Sequence, residues 1–442
     1  MQNDKITLND LTVFGPDGED VFALIDRTTT QAGKEVLKRH IYNPPATLEK
    51  LNETQEVIKF LANNPDLWTK RILNGTLVML DKYFESADNI SAPPNGLALM
   101  MDSIFQKLIN KRDHSIVKFA ISHLSDFLIG CSQLAEIADK DNLPKLLKEE
   151  LDAIKSDLSH RLVEPITNIT NSTTYSELAQ LNYKARREMK QVFHRLISRY
   201  TVLDAWHSMA IATLEHNWVF PEISPSSPVI FEAVSLEHPL LRNPVPYSIS
   251  FTNNCNFLIL TGANMAGKTT FLRSLGISAL LTHLGMGVPA KSLKISFLQG
   301  VITNMHVEDN ILKGESYFYA EVLRMKQTAK KLQQPGLNLL LMDELFKGTN
   351  VHDAFECTKA VIEGLLYRPN QLIILSTHLC EVARQFEQKE EIQFAYFVTN
   401  TGRDGNYNFT YELKKGISND RIGFRILQKE GVIDILKSQQ SI

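Results

Sequence analysis

From about residue 24 to residue 214, apolar positions recur at helical spacing and glycines are few. DFLIGCSQLAEIA (126–138) and the stretch 181–214 show the period most clearly. Turn-forming clusters interrupt it at NPPA (43–46), SAPPNG (91–96) and NSTT (171–174). FPEISPSSP (220–228) reads as a linker. Beyond it the texture changes: short apolar runs at 257–260, 339–342 and 372–375 alternate with helical stretches, as in an α/β sheet. Each run suits a buried strand, and none approaches the ~20 apolar residues that span a bilayer. The pattern predicts a helical region, 1–216, followed by an α/β region, 217–442, with a mixed, mostly parallel sheet. No internal repeat or low-complexity tract is present.

Composition narrows the partners more than the fold. With 442 residues, 43% hydrophobic and 22% charged, the chain has ordinary globular values and is long enough for two to four domains. Disordered, collagen-like and disulfide-stapled classes are excluded. The net charge of −3 means that any nucleic-acid contact must come from a local basic patch. Cys131, Cys255, Cys357 and Cys380 are widely spaced with no CxxC pair, which suits reduced thiols. The N-terminus has no basic segment followed by an apolar one, so no signal peptide is visible. These features predict a cytoplasmic protein without membrane contact.

Candidate chemistry begins at NFLILT (256–261), a strand, followed by GANMAGKT (262–269) and the helical TFLRSL (270–275). This is G-x-x-x-x-G-K-[ST] between a strand and a helix. Gly262, Asn264, Met265, Ala266 and Gly267 would turn backbone N–H groups around phosphate oxygens, and the helix start, with Thr270, adds partial positive charge. Lys268 would reach the β- and γ-phosphates, and Thr269 would ligate Mg²⁺. About 75 residues later, LLLMDE (339–344) predicts a strand ending in two carboxylates, at the end that faces ligands in such sheets. Asp343 would hold Mg²⁺, and Glu344 would orient or deprotonate a water. A third strand, QLIILSTH (371–378), ends in His378, whose imidazole would bond the γ-phosphate or that water.

These residues resemble a known family. TGANMAGKTTFLR (261–273) resembles T-G-P-N-M-x-G-K-S-T-x-x-R, the phosphate loop of MutS-type mismatch-repair ATPases, down to the Asn264-Met265 pair. GVPA (287–290) resembles the V-P-A segment after the first ATPase helix, and GESYFYAE (314–321) the G-x-S-T-F-x-x-E signature. DELFKGTN (343–350) is similar to D-E-x-x-x-G-T-S, Thr377-His378 to the strand-end T-H pair, and His238-Pro239 to the H-P entry to the ATPase. In the helical half, LIDRTTTQAGKEVLKR (24–39) resembles L-D-x-T-x-T-x-x-G-x-R-x-L-x-x-W at the start of the core domain. LDAWHSMAIA (203–212) resembles the end of the long lever helix.

The resemblance implies a helical core and lever domain over 1–216, its clamp reduced or absent. An ABC-type P-loop ATPase domain with a C-terminal dimerisation segment follows over 217–442. It implies ATP and Mg²⁺ as cofactors, Lys268, Glu344 and His378 as catalytic groups, and Thr269 and Asp343 as metal ligands. It also implies a homodimer in which Ser316 reaches, in trans, the γ-phosphate held by the other subunit. The core motif begins too early to leave room for the family's mismatch-reading and connector domains. Phe220-Pro-Glu222 spells the mismatch wedge, but within the linker. No added nuclease domain is expected after the ATPase. Asn304 to Asn310 replaces the family's R-I-G-A element, and Tyr317 replaces the signature Thr, changes expected to retune communication between two nucleotide sites.

The best basic segment is KARREMKQVFHRLISR (184–199). On one helix, Arg187, Gln191 and Arg195 are i,i+4 neighbours, so Lys184, Arg187, Lys190 and Arg195 would offer a sequence-independent contact to DNA phosphates. A solvated helix face is the plainer reading of the same residues. Three functions follow: an ATP-gated DNA clamp in mismatch repair or related DNA maintenance, a ribosome- or RNA-associated ATPase like the second MutS class, or an ATP-gated dimer with a protein client.

Overall fold

The computed structural model describes residues 3–16, 18–85, 111–170, 172–263, 265–305, 317–401, 407–418 and 432–437. The fold is mixed helix and sheet and divides into two compact units. One comprises Met1–Leu24, Ile41–Leu51 and His216–Ile442, and the other Ile25–His40 and Asn52–Glu215. The change of texture near residue 217 therefore falls at a unit boundary. Residues 1–24 and 41–51, grouped with the helical half by their place in the sequence, belong to the strand-rich unit instead.

The helical unit is built on Asn74–Glu85, Lys111–Ala135, Lys145–Leu158, Tyr175–Glu188 and Lys190–Glu215. Phe193 joins it, with ring centroids 4.7 Å from Phe84 and 5.4 Å from Phe127, and all three side chains are buried. Tyr175–Glu188 starts in a capping box, Thr174 and Glu177 each satisfying the other's backbone N–H. The two stretches resembling core and lever meet at Asp204, which is fully buried. Its carboxylate accepts Thr29 N–H at 2.9 Å, Thr30 N–H at 3.0 Å and the Thr30 hydroxyl at 2.7 Å. Burial pushes its carboxyl pKa up despite those bonds.

The strand-rich unit holds two sheets. The smaller joins β1 (Glu222–Ser224), β5 (Ser292–Ser296), β2 (Phe231–Leu236) and β3 (Tyr247–Phe251), in that order. The linker-like 220–228 thus supplies a strand, β1, paired parallel to β5. The larger sheet has the order β10 (Tyr407–Lys415), β9 (Ile392–Thr401), β4 (Phe257–Thr261), β8 (Leu372–Ser376), β7 (Asn338–Asp343) and β6 (Gly300–Asn304). The strands from β9 to β6 pair in parallel, and β10 is antiparallel to β9. All residues of β4, β7 and β8 are buried, which is why these runs are continuously apolar rather than alternating. One face packs Phe257, Ile259, Leu340, Met342, Ile373 and Leu375 with Ile362 and Leu365 of the helix Val351–Leu366. The helix Lys268–His283 is buried along most of its length.

Residues 3–24 complete this unit. Asp10 accepts Met305 N–H at 3.2 Å and pairs with the Arg324 guanidinium, while Arg273 Nε donates to the Asp10 carbonyl at 2.9 Å. Among the described residues no helix is long and apolar enough to cross a membrane. The four cysteines, all described, form no disulfide.

Candidate functional site

The carboxyl ends of β4, β7 and β8 point to one side of the larger sheet, and the chemistry-bearing residues follow those strands. After β4 the chain turns through Gly262 (φ 138°), Met265 (φ 69°) and Gly267 (φ 107°) before the helix Lys268–His283 begins. Positive φ at 262 and 267 is open to glycine at no steric cost, and it folds the loop back over the helix start. The first-turn amides of that helix have no partner within the helix, so they form an anion site backed by the helix dipole.

Lys268 is buried, 4% exposed, and its Nζ donates to the carbonyls of Gly262 at 2.8 Å and Ala263 at 3.0 Å. Thr269 Oγ1 donates to Asp343 Oδ2 at 2.5 Å, and the Ser376 hydroxyl donates to Asp343 Oδ1. The start of the helix after β4 and the ends of β7 and β8 are thereby tied through one carboxylate. Ser376 was not singled out by the sequence motifs; only the β7–β8 pairing, Asp343 opposite Ser376, reveals it.

Glu344 also takes a left-handed backbone, φ 53°, with its N–H donating to Ser376 O at 2.9 Å. Its carboxylate faces His378 Nδ1 at 3.7 Å, Lys268 Nζ at 3.4 Å and Lys347 Nζ at 3.2 Å. His378 foremost, then the two lysines, hold its pKa down at about 2 against the effect of burial. The His378 side chain is 54% exposed.

Most of these groups line a cleft of about 650 Å³, the size of an ordinary small-ligand site; Ser376 and His378 do not line it and reach it only through Asp343 and Glu344. Lys268, Thr269, Thr270, Asp343, Glu344 and Lys347 form its polar end. Leu241, Val245, Tyr247, Met265 and Tyr411 also line it, Met265 77% exposed, with the polar Arg242 and Asn243 between Leu241 and Val245. Tyr247 and Tyr411 arrive on β3 and β10, remote in sequence from the loop, and no local motif marks them. His238 of the H-P pair is buried instead of lining the cleft; burial, with Arg273 nearby, lowers its pKa to about 4.

Fit to a metal is tested by the donors. A carboxylate and a hydroxyl 2.5 Å apart are hard oxygen ligands, the type Mg²⁺ takes. Among the described residues no group of three or more His, Cys, Asp or Glu could hold a metal alone. Mg²⁺ typically completes its shell with waters and phosphate oxygens, so this sparse pair fits it. Asn264 and Ser316 lie outside the described residues, as do 306–310 of the altered segment.

The proposed phosphate contacts of the helical unit are placed differently. The helix carrying Lys184 and Arg187 ends at Glu188, and a second, with Lys190 and Arg195, starts after Met189. Arg187 and Gln191 therefore do not share an unbroken helix as the sequence pattern suggested. Arg187 Nη1 donates to Tyr183 Oη, and Arg195 Nη2 lies 2.6 Å from Asp157.

A buried strand, a glycine-turned loop, a helix that begins with lysine and threonine, and an acidic end on a parallel strand two places away make up an α/β site of the phosphate-loop type. Residues 258–441 match the family described as MutS domain V. The DNA mismatch repair protein MutS of Aquifex pyrophilus is 22% identical over 93% of this chain and 58% of its own length. That of Anaplasma phagocytophilum is 25% identical over 92% and 59%. The DNA mismatch repair protein msh3 of Aspergillus fumigatus is 29% identical over 53% of this chain and 22% of its own length. Over residues 258–441 the chain is thus similar to MutS domain V and over most of its length to MutS proteins, and it spans less than two thirds of the length of these relatives.

Proposed function

We propose that this protein is a Mg²⁺-dependent ATPase that works as an ATP-gated dimer on DNA, in mismatch repair or related DNA maintenance. One observation carries the reading: Lys268, Thr269, Asp343 and Glu344, from two loops 75 residues apart in sequence, converge on one cleft at the carboxyl ends of parallel strands. The names of the similar proteins, DNA mismatch repair proteins, support the process.

The chemistry follows from the contacts. The N–H groups of the loop and helix start bind phosphate oxygens, and the Lys268 ammonium, now shared among two carbonyls and Glu344, is drawn to the γ-phosphate. Thr269 and Asp343 hold Mg²⁺, which when bound supplies charge neutralisation at the β- and γ-phosphates. Moving Lys268 towards phosphate removes one of the cations that hold Glu344 ionised, so its carboxylate becomes a better proton acceptor for an attacking water. His378 orients that carboxylate or the water. Leu241, Tyr247 and Tyr411 offer an apolar wall to the nucleoside.

In the dimer, Ser316 and the start of the helix Tyr317–Lys331 act on the partner's γ-phosphate, and hydrolysis loosens the interface. The helical unit is the core and lever through which the client is held, with the residues around Lys184 and Lys190 touching DNA phosphates. The plainest test is Mg²⁺-ATP turnover, alone and with duplex, branched or single-stranded DNA or RNA. Stimulation by a DNA form supports the reading, and absence of turnover under every condition contradicts it. One observation favours a second reading, a protein client: Arg161, Arg195 and Arg199 each lie within 2.7 Å of a carboxylate, which reduces the charge left for phosphates.

A further inference from the structure

We propose that Glu321 is a positioning residue for Glu344: its carboxylate fixes the turn on which the candidate water-activating group is mounted. The inference rests on the ATPase reading above and concerns residues that reading leaves without a role.

The turn from Glu344 to Gly348 is an uncomfortable one. Glu344 (φ 53°) and Phe346 (φ 62°) both sit in the left-handed region without being glycine or asparagine. Such a backbone persists only where its surroundings over-determine it, and it concentrates where geometry is used. Glu321 supplies that constraint. It lies on the helix Tyr317–Lys331, is 6% exposed, and accepts two successive amides, Lys347 N–H on Oε1 and Gly348 N–H on Oε2, each at 3.0 Å. Two amides on two oxygens fix the turn in rotation as well as position. At its near end the turn is held by Glu344 N–H on Ser376 O. Glu344 is thus gripped between a strand end and the helix bearing Glu321.

A second observation comes from Gly348. A Cβ built there would sit 2.6 Å from both Phe318 N and Tyr317 Cδ1. The turn and the first residues of the helix are packed backbone to backbone, so a shift of the helix start must carry the turn with it. On the dimer reading, that helix start is the part facing the partner's nucleotide. The Glu321 contact then makes the placement of Glu344 in one site respond to the nucleotide in the other.

The test uses the full chain, with Mg²⁺-ATP turnover measured alongside equilibrium binding of a fluorescent ATP analogue. Glu321→Ala is expected to lower kcat about 100-fold with KM changed less than about threefold, as expected when a reacting group is misplaced by roughly an ångström. Glu321→Gln keeps an acceptor oxygen for one of the two amides and is expected to show a smaller loss, kcat lowered about three- to tenfold from wild type. If the alanine variant does not fold, the glutamine variant carries the test through its own kcat loss at unchanged nucleotide affinity. Wild-type kcat in the folded variants, or equal losses in kcat and in affinity, would overturn the role of Glu321 alone. Absence of nucleotide binding by wild type would overturn the ATPase reading and this inference with it.

Discussion

In the strand-rich unit, Lys268, Asp343, Glu344 and Lys347 are brought from separate segments onto one cleft, all but Lys347 half-buried or buried, with Glu344 on left-handed backbone and Lys268 at a helix start. In the helical unit, charged groups of the same kinds lie at the surface in separate couples: Arg161 with Glu188, Arg195 with Asp157, Arg199 with Glu150. Exposed couples of this sort contribute about 0–1 kcal/mol each and are screened by salt. The buried cluster is different. There Lys268, Lys347 and His378 converge on one carboxylate, and the pKa of Glu344 is carried well below its ordinary value. Charge gathered at strand ends behaves as a site; charge spread in pairs along helices behaves as a surface.

The sharpest way to break that comparison is Glu344→Gln. It should lower ATP turnover by about 100-fold or more while leaving ATP bound, and sedimentation should show a dimer persisting with ATP. A variant that is monomeric with ATP, or that turns over normally, would place the water-activating group elsewhere. In the helical unit the strongest expected effect is on stability instead. Asp204→Ala removes the acceptor for three donors on Thr29 and Thr30, and should cost about 3 kcal/mol in denaturant unfolding.

Acid titration separates the two units further. The pKa of Glu344 is lowered from 4.5 to about 2, so the stability it contributes is complete above pH 4.5 and is lost as pH falls from there towards 2. The gap in unfolding midpoint between wild type and Glu344→Gln should be constant above that window and narrow within it. Asp204 works with the opposite sign, because its pKa is raised: its contribution is complete at low pH and declines as pH rises through the folded value. The smallest effect is reserved for the surface couples. Arg195→Ala should change stability by less than about 1 kcal/mol, and a DNA-binding role for Lys184 and Lys190 would show as a salt slope shallower by about one unit per residue replaced.

The site was legible in the sequence to the extent that it is local. GANMAGKT and the acidic end of LLLMD carry their own turn chemistry and strand burial, so their spacing predicts the convergence the cleft displays. What was not legible depends on pairing between distant strands. Ser376 joins Asp343 because β7 and β8 are neighbours, and Tyr247 and Tyr411 reach the cleft on β3 and β10. The fold shows the same division. Continuous apolar runs marked β4, β7 and β8, whereas β1 was hidden in a proline- and serine-rich stretch and is a strand because β5 lies alongside. Residues 1–24 precede the clear helical period and group with the helical region by position alone; Asp10, taking Met305 N–H and Arg324, assigns them to the strand-rich unit. Met189 interrupts the basic helix without the glycine or proline that would have announced it.

The most direct measurement is equilibrium binding of a fluorescent ATP analogue to wild type and to Lys268→Ala, each with Mg²⁺ and with a chelator. The account predicts saturable, Mg²⁺-strengthened binding to wild type and its loss, by about 100-fold or more in Kd, when the lysine is removed. Equal affinity of the two proteins, or binding indifferent to both Lys268 and Mg²⁺, would contradict it.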